Sequence, residues 1–247
     1  MVTTLWSKSL SSYTWPTAWK GVNINPLPKV ANPVQYSGFR GINVTPVKAR
    51  CFERTVYHHY SKKVFEENLT VKQYAYREGC SCTDALIQIQ YNYLKALDDK
   101  DCNYVRLFAM DFSKAFDNVK HSLLGEKLKA LYLNPYVVDW YLSFLMDRKQ
   151  RLIFKGVIYK WHNVNKGTSQ GSVRGSHLFN LFIDDLAIRD NDLSSTVKYA
   201  DDTTLLVKVC KNETDLSQKV VNQFFSWTQD NAMACNPKKC NELILCK

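Results

Sequence analysis

Thr196-Val197-Lys198-Tyr199-Ala200-Asp201-Asp202-Thr203-Thr204-Leu205-Leu206-Val207-Lys208 (residues 196–208) is the stretch on which the fold turns. Its two apolar arms, Val197 to Tyr199 and Leu205 to Val207, flank Ala200-Asp201-Asp202-Thr203 and predict a hairpin with adjacent carboxylates in or beside a tight turn. An Asp-Asp pair in a hairpin is in general more often a turn device than a metal site. A second acidic position changes that weighting. Tyr104 to Met110 is a short β-prone run that stops at Asp111, which predicts a carboxylate at the C-terminal end of a strand. Alone, Asp111 would serve to cap the helix that follows. If both segments share one antiparallel sheet, three carboxylates converge, and like charges persist together when hard cations neutralise them. Mg²⁺ uses one or two carboxylates with substrate phosphates and water. Two such ions about 3.5–4 Å apart can activate an attacking oxygen and stabilise a leaving one in an in-line displacement at phosphorus.

Outward from these sites the periodicity is mostly helical. From Thr83 the spacing of Leu86, Ile89, Tyr93, Leu94 and Leu97 predicts a helix capped by Thr83 or Ser81. Ser122 is the expected cap of a helix carrying Leu123, Leu124, Leu128 and Leu131, and Asn134-Pro135 opens another carrying Val138, Trp140, Tyr141, Phe144 and Leu145. A hairpin is expected over 151–162 with its turn near Lys155-Gly156, then a helix with Leu178, Leu181, Phe182 and Leu186 on one side. The last helix is expected from Leu216 to about Ala232. The first 50 residues, rich in Pro, Asn and Trp, predict extended segments and turns with short strands near Val22 to Ile24.

Composition narrows the class. With 45% apolar and 23% charged residues over 247 positions, disorder is excluded as the default state. The net charge is +10, and residues 1–80 hold eleven Lys or Arg against four Asp or Glu, an asymmetry that suits a polyanionic partner. The eight cysteines lack zinc-ligand spacing, and without a secretory signal they read as free thiols in a reducing compartment, cytosol or nucleus. No apolar run approaches the roughly 20 residues needed to cross a bilayer.

Tyr199-Ala200-Asp201-Asp202, Met110-Asp111-Phe112-Ser113-Lys114-Ala115-Phe116-Asp117 and Gln170-Gly171-Ser172-Val173 together resemble the reverse transcriptase domain of non-LTR (LINE-like, jockey-type) retrotransposons. The resemblance runs almost end to end. It takes in Trp19-Lys20, Pro26-Leu27-Pro28-Lys29, Phe39-Arg40-Gly41-Ile42, Phe52-Glu53-Arg54, Tyr76-Arg77-Glu78-Gly79 with Thr83-Asp84-Ala85-Leu86, and Cys235-Asn236-Pro237-Lys238-Lys239-Cys240. It implies an α+β right-hand polymerase core: fingers over residues 1–104, and a palm over 105–247 that includes part of the fingers around 148–170. The thumb is absent in that reading, and no endonuclease precedes the domain. By the resemblance, Asp111, Asp201, Asp202 and the backbone carbonyl of Phe112 hold two Mg²⁺ ions, for which Mn²⁺ can substitute. Phe116 is the ring beneath the incoming sugar that disfavours a 2′-hydroxyl, and Gln170 and Gly171 line the nucleotide and template pocket. Lys29 and Arg40 hold the triphosphate, and Lys239 protonates the leaving pyrophosphate. The implied partners are an RNA template, a DNA primer and deoxynucleoside triphosphates, with no membrane.

Some positions depart from the family pattern. Gly41, Ser169 and Ser176 stand where the family usually has proline, and Arg174 replaces an apolar or small residue. Lost prolines loosen turns that fix φ. A catalytically silent remnant that at most binds nucleic acid therefore stays open as an alternative, whereas an RNA-synthesising polymerase fits Tyr199-Ala200 and Phe116 poorly.

Overall fold

Local chemistry sets most element ends in the computed structural model, which describes residues 2–168, 172–186, 188 and 192–247. In chain order the first half comprises α1 (Val2–Ser11), β1 (Gly21–Pro28), β2 (Phe39–Val44), α2 (Val47–Val56), a wide π-helical turn (Tyr57–Ser61), α3 (Lys62–Asn68), α4 (Cys82–Asp98) and β3 (Cys102–Met110). There follow α5 (Ala115–Asn118), α6 (His121–Ala130), α7 (Pro135–Leu145), β4 (Arg148–Phe154), β5 (Val157–Ile158) and β6 (His162–Val164). The chain closes with α8 (Val173–Ile183), β7 (Ser194–Tyr199), β8 (Asp202–Cys210), α9 (Ser217–Asp230) and β9 (Asn241–Cys246). Ser81 and Asp84 form a capping box at α4, each side chain accepting from the other's backbone N–H. Asn134 accepts from Tyr136 N at 3.0 Å and Pro135 fills the first turn of α7, where its missing N–H costs nothing. Lys155 and Gly156, with φ of 49° and 79°, turn the β4–β5 hairpin.

Two helix starts differ from expectation. Lys120, not Ser122, is the N-cap of α6, because the entry is pinned by a bridge between Lys120 and Lys166 and by the contact of His121 Nε2 with Gly167 O at 2.9 Å. Helix α1 occupies a segment whose sequence reads as extended. Its order comes from tertiary contacts: Trp6 stacks on Phe52 at 5.0 Å, and Trp140 Nε1 donates to Ser9 Oγ at 3.1 Å.

The chain divides into two compact units, one formed by the residues up to Asn68 with Val119–Phe179, the other by Leu69–Asn118 with Asn180–Lys247. In the first, the sheet runs β2-β1-β4-β5 with β6 also on β4; β1 and β4 are parallel and the other pairs antiparallel. Pro26 and Pro28 lie beyond the β1 residues that pair with β4, so their missing donors break no bond on that side. Trp15 anchors the core, edge-on to Trp19, Trp140 and Phe144 at 5.0–5.4 Å. Arg174 is buried too, its guanidinium 3.8 Å from the centre of the Tyr57 ring and its backbone N–H donating to Glu53 at 3.1 Å.

In the second unit an antiparallel sheet runs β7-β8-β3-β9. Tyr93, Ala96 and Leu97 of α4 pack against Val105 and Leu206 on one face. Leu205 and Val207, which alternate with Leu206 along β8, are fully buried on the opposite face. Phe224 of α9 is fully buried as well and lies 5.3 Å from the Phe112 ring.

Candidate active site

Strand register brings the carboxylates together. Met110 pairs with Thr203 across β3 and β8, so the residue just past β3, Asp111, comes level with Asp202, the preceding residue on β8. Tyr199 pairs with Asp202 at the end of the β7–β8 hairpin, leaving Ala200 and Asp201 as its tip. The tip is strained: Ala200 has φ 54°, a left-handed conformation that costs an alanine about 1–2 kcal/mol. Buried Gln73 holds it there. Its Oε1 accepts from Ala200 N at 2.9 Å and from Ala75 N at 3.0 Å, and its Nε2 donates to Ala200 O at 3.2 Å. Gln73 is itself fixed because Lys72 O and Tyr74 N bond the backbone of Lys198 on β7. The Lys198 side chain, fully buried, donates to Ile183 O and Asp184 O at 3.0 and 2.9 Å, at the C-terminal end of α8, where a cation is favoured.

The other wall is the segment between α9 and β9. Ser113 N donates to Ala234 O at 2.7 Å and Asn236 N to Asp111 O at 2.8 Å, which ties the backbone around Asp111. Asn236 Nδ2 then donates to Asp111 Oδ2 at 3.0 Å, and Lys239 Nζ lies 3.5 Å from the same oxygen. Cys240 Sγ accepts from Asp111 N at 3.4 Å. Cys235 Sγ is 3.4 Å from Cys240 Sγ, and burial foremost, with that contact adding, pushes the Cys235 thiol up to about 12. Asp111, Asp202, Thr204, Lys238, Lys239 and Asn241 line an open cleft of about 480 Å³.

The electrostatics carry one sign. Burial raises the pKa of Asp201, the charges of Asp202 and Asp111 raise it further, and Lys239 opposes them. Burial and the Asp111 charge raise Asp202 in the same way, again against Lys239. These groups suit a hard cation: the donors are carboxylate oxygens, their charged forms are disfavoured by one another, and an ammonium group already sits on Asp111. Among the described residues no three His, Cys, Asp or Glu side chains close into a ready-made metal cage.

The remaining predicted residues distribute as follows. Phe112 has its ring buried in the core, so only its backbone is available to a ligand. Phe116, on α5, is half-buried and edge-on to Tyr76 at 6.3 Å. Lys29 and Arg40 are exposed on the β1–β2 hairpin, where Arg40 pairs with Leu27 and Lys29 N donates to Gly38 O at 2.7 Å. Gln170 and Gly171 lie outside the described residues. Gln73, Lys198 and Asn236 carry no role in the sequence reading, and nothing local marks Gln73 or Lys198.

Residues 27–244 match the family described as reverse transcriptase (RNA-dependent DNA polymerase). A probable RNA-directed DNA polymerase from transposon BS of Drosophila melanogaster is 28% identical over 236 residues, covering 91% of this chain and 26% of that protein. Its counterpart from transposon X-element of the same organism is 27% identical, covering 93% and 26%. The RNA-directed DNA polymerase from mobile element jockey, also of Drosophila melanogaster, is 25% identical, covering 92% and 25%. The chain thus spans about a quarter of the length of these relatives. Among solved structures, telomerase from Candida tropicalis with a TWJ fragment of telomeric RNA superposes with a TM-score of 0.65 at 12% identity, over 98% of this chain and 44% of that one. The apo form gives 0.67 at 12% identity, over 97% and 49%. At that identity the likeness is one of fold. No helix among the described residues is long and apolar enough to cross a membrane.

Proposed function

Because the chain belongs to the reverse transcriptase (RNA-dependent DNA polymerase) family, we propose that residues 105–247, with part of the fingers around 148–170, form the palm of an RNA-directed DNA polymerase, with Asp111, Asp201 and Asp202 as the catalytic carboxylates. The observation that carries this reading is the register that sets Asp111 level with Asp202, beside half-buried Asp201, at a cleft also lined by Lys238 and Lys239. Asp111, Asp201, Asp202 and the Phe112 carbonyl would hold two divalent cations, Mg²⁺ with Mn²⁺ as a substitute. Bound there, such ions supply charge stabilisation for the in-line attack of a primer 3′-hydroxyl on the α-phosphate of a deoxynucleoside triphosphate.

The chain's own residues do the positioning. Gln73 holds the Ala200 turn, and with it the approach of Asp201. Asn236 and Lys239 orient the Asp111 carboxylate. Lys239 is the proton donor we assign to the leaving pyrophosphate, since its ammonium group already lies in the cleft. Phe116 is read as the ring under the sugar, and Lys29 and Arg40, with Gln170 and Gly171, as contacts to the triphosphate, nucleotide and template. The surplus of Lys and Arg in residues 1–80 suits backbone-directed binding of RNA template and DNA primer, which weakens steeply with salt.

The test is incorporation of labelled dTTP on poly(rA)·oligo(dT) with Mg²⁺ or Mn²⁺, comparing the chain with Asp201→Asn and Asp202→Asn. Metal-dependent extension that either substitution abolishes supports the assignment. Binding of primer-template without any extension, even when further segments of a relative are appended, would overturn it in favour of a non-catalytic nucleic-acid-binding module.

A further inference from the structure

No role assigned above uses the thiols of Cys235 and Cys240, which lie 3.4 Å apart. They stand at the two feet of the loop 236–239, and that loop supplies both side chains that hold Asp111, Asn236 and Lys239. Cys235 is set from below by its bridge to Phe112. Cys240 touches the catalytic strand end directly, because the Asp111 amide donates to its sulfur at 3.4 Å. Both residues are partly exposed, so a small oxidant can reach the pair.

We propose that Cys235 and Cys240 form a reversible dithiol–disulfide site whose oxidation, by a peroxide, disengages Cys240 from Asp111 and shuts the active site. The catalytic consequence rests on the polymerase reading; the thiol chemistry does not. With hydrogen peroxide the balance is simple. One thiol sulfur takes an oxygen as the O–O bond breaks, giving a sulfenic acid and one water. The second thiol attacks that sulfur, the S–S bond forms, and its proton leaves with the hydroxide as a second water. Two thiols and one peroxide thus become a disulfide and two waters, and a small thiol reductant reverses the change.

The mechanical effect follows from the distances. A disulfide brings its sulfurs to about 2.05 Å, so the pair must close by more than 1 Å. The pairing with Phe112 fixes Cys235, and the movement falls on Cys240. The Asp111 amide then loses its acceptor, and the loop bearing Asn236 and Lys239 is drawn tight at its feet.

Peptide mapping decides the first half. Trypsin cleaves after Lys238 and Lys239, so a Cys235–Cys240 disulfide appears as two linked peptides that reduction separates, with fragmentation placing the bond on Cys240 and not on Cys246 of the same peptide. After mild peroxide treatment of the whole chain we expect that linked pair, a fall in incorporation of at least tenfold with the same dose dependence, and recovery with dithiothreitol. Cys235→Ala is expected to keep basal incorporation and to lose this reversible inhibition. Oxidation of exposed Cys80 or Cys82 without the linked pair would overturn the proposal, as would a linked pair that leaves incorporation unchanged. Should the untreated chain extend no primer even with further segments of a relative appended, it is the polymerase reading that fails, and the linked peptides together with Mn²⁺ affinity still decide this one: a weakened affinity in the oxidised chain supports it and an unchanged affinity overturns it.

Discussion

Glu53 and Asp201 are both carboxylates withdrawn from water, yet their neighbours differ in sign. Glu53 is fully buried in the first unit, where it accepts from the Arg174 backbone and feels the charges of Arg174 and Arg148. Those two guanidiniums lie over the rings of Tyr57 and Phe144 at 3.8 and 4.8 Å. The Glu53 charge meets opposite charge inside the protein, so it needs no cation from solution. Around Asp201 the partly buried charges repel, and Lys239, the cation that sits on Asp111, is itself 69% exposed. A fold that keeps like charges together beside an open cleft leaves their neutralisation to something that arrives from solution. That contrast separates a structural network from a functional one without reference to any relative.

The largest effect that could break this comparison is at the cleft. Asp201→Asn and Asp202→Asn should each lower incorporation by about 10²–10³-fold, the size seen when an electrostatic group in an active site is removed. Neither should destabilise the chain. Burial and like charge raise both folded pKa values above the unfolded one, so ionisation at neutral pH opposes folding, and removing the charge should raise Tm by about 1–2 °C. A fall in Tm, measured by calorimetry, would mean that the carboxylates brace the fold instead.

Glu53→Gln inverts that outcome. It leaves two buried guanidiniums without their counter-charge and should cost about 3 kcal/mol, or roughly 6–12 °C in Tm. Mn²⁺ affinity per folded molecule should stay as it was. Third in size is Gln73→Met, which keeps the volume and removes the bonds to Ala200. Incorporation should drop about tenfold with stability lower by about 1–2 kcal/mol. Full activity would show that the hairpin ladder alone keeps Ala200 left-handed.

What the sequence discloses and what it hides divides along the same lines. Asp111 and the Asp201-Asp202 turn were legible because strand alternation and turn chemistry are local, and the β3–β8 register then follows from which face is apolar. The α4 capping box and the Asn134-Pro135 start were legible for the same reason. The Glu53 network was not, since Arg174 meets Glu53 across 121 residues of chain. Lys198 reads as a solvent-facing residue of a strand and is instead fully buried, because the end of α8 presents carbonyls that a strand pattern cannot foretell. Gln73 acts on Ala200 from 127 residues away. Helix α1 owes its order to Phe52 and Trp140, partners that no window around residues 2–11 contains.

The smallest effect measures how completely the first network is closed. His121 is held below its ordinary pKa, chiefly by burial, with the charge of Arg148 acting the same way and the bond to Gly167 O opposing both. Above the unfolded value of 6.5 the ring is neutral in either state and its contribution to stability is whole. As pH falls below that value, the unfolded chain takes up a proton that the folded chain resists, and stability is lost until the folded pKa is reached. His121→Gln, which can still donate to Gly167 O, should flatten that part of the stability curve. Arg148→Met should move the NMR titration of His121 back toward 6.5, because one of the charges that depresses it is gone. If Glu53 cancelled Arg148 fully, the substitution would leave the titration where it was. A measurable shift means that the first unit also retains some uncancelled charge, and that its difference from the carboxylate cleft is one of degree.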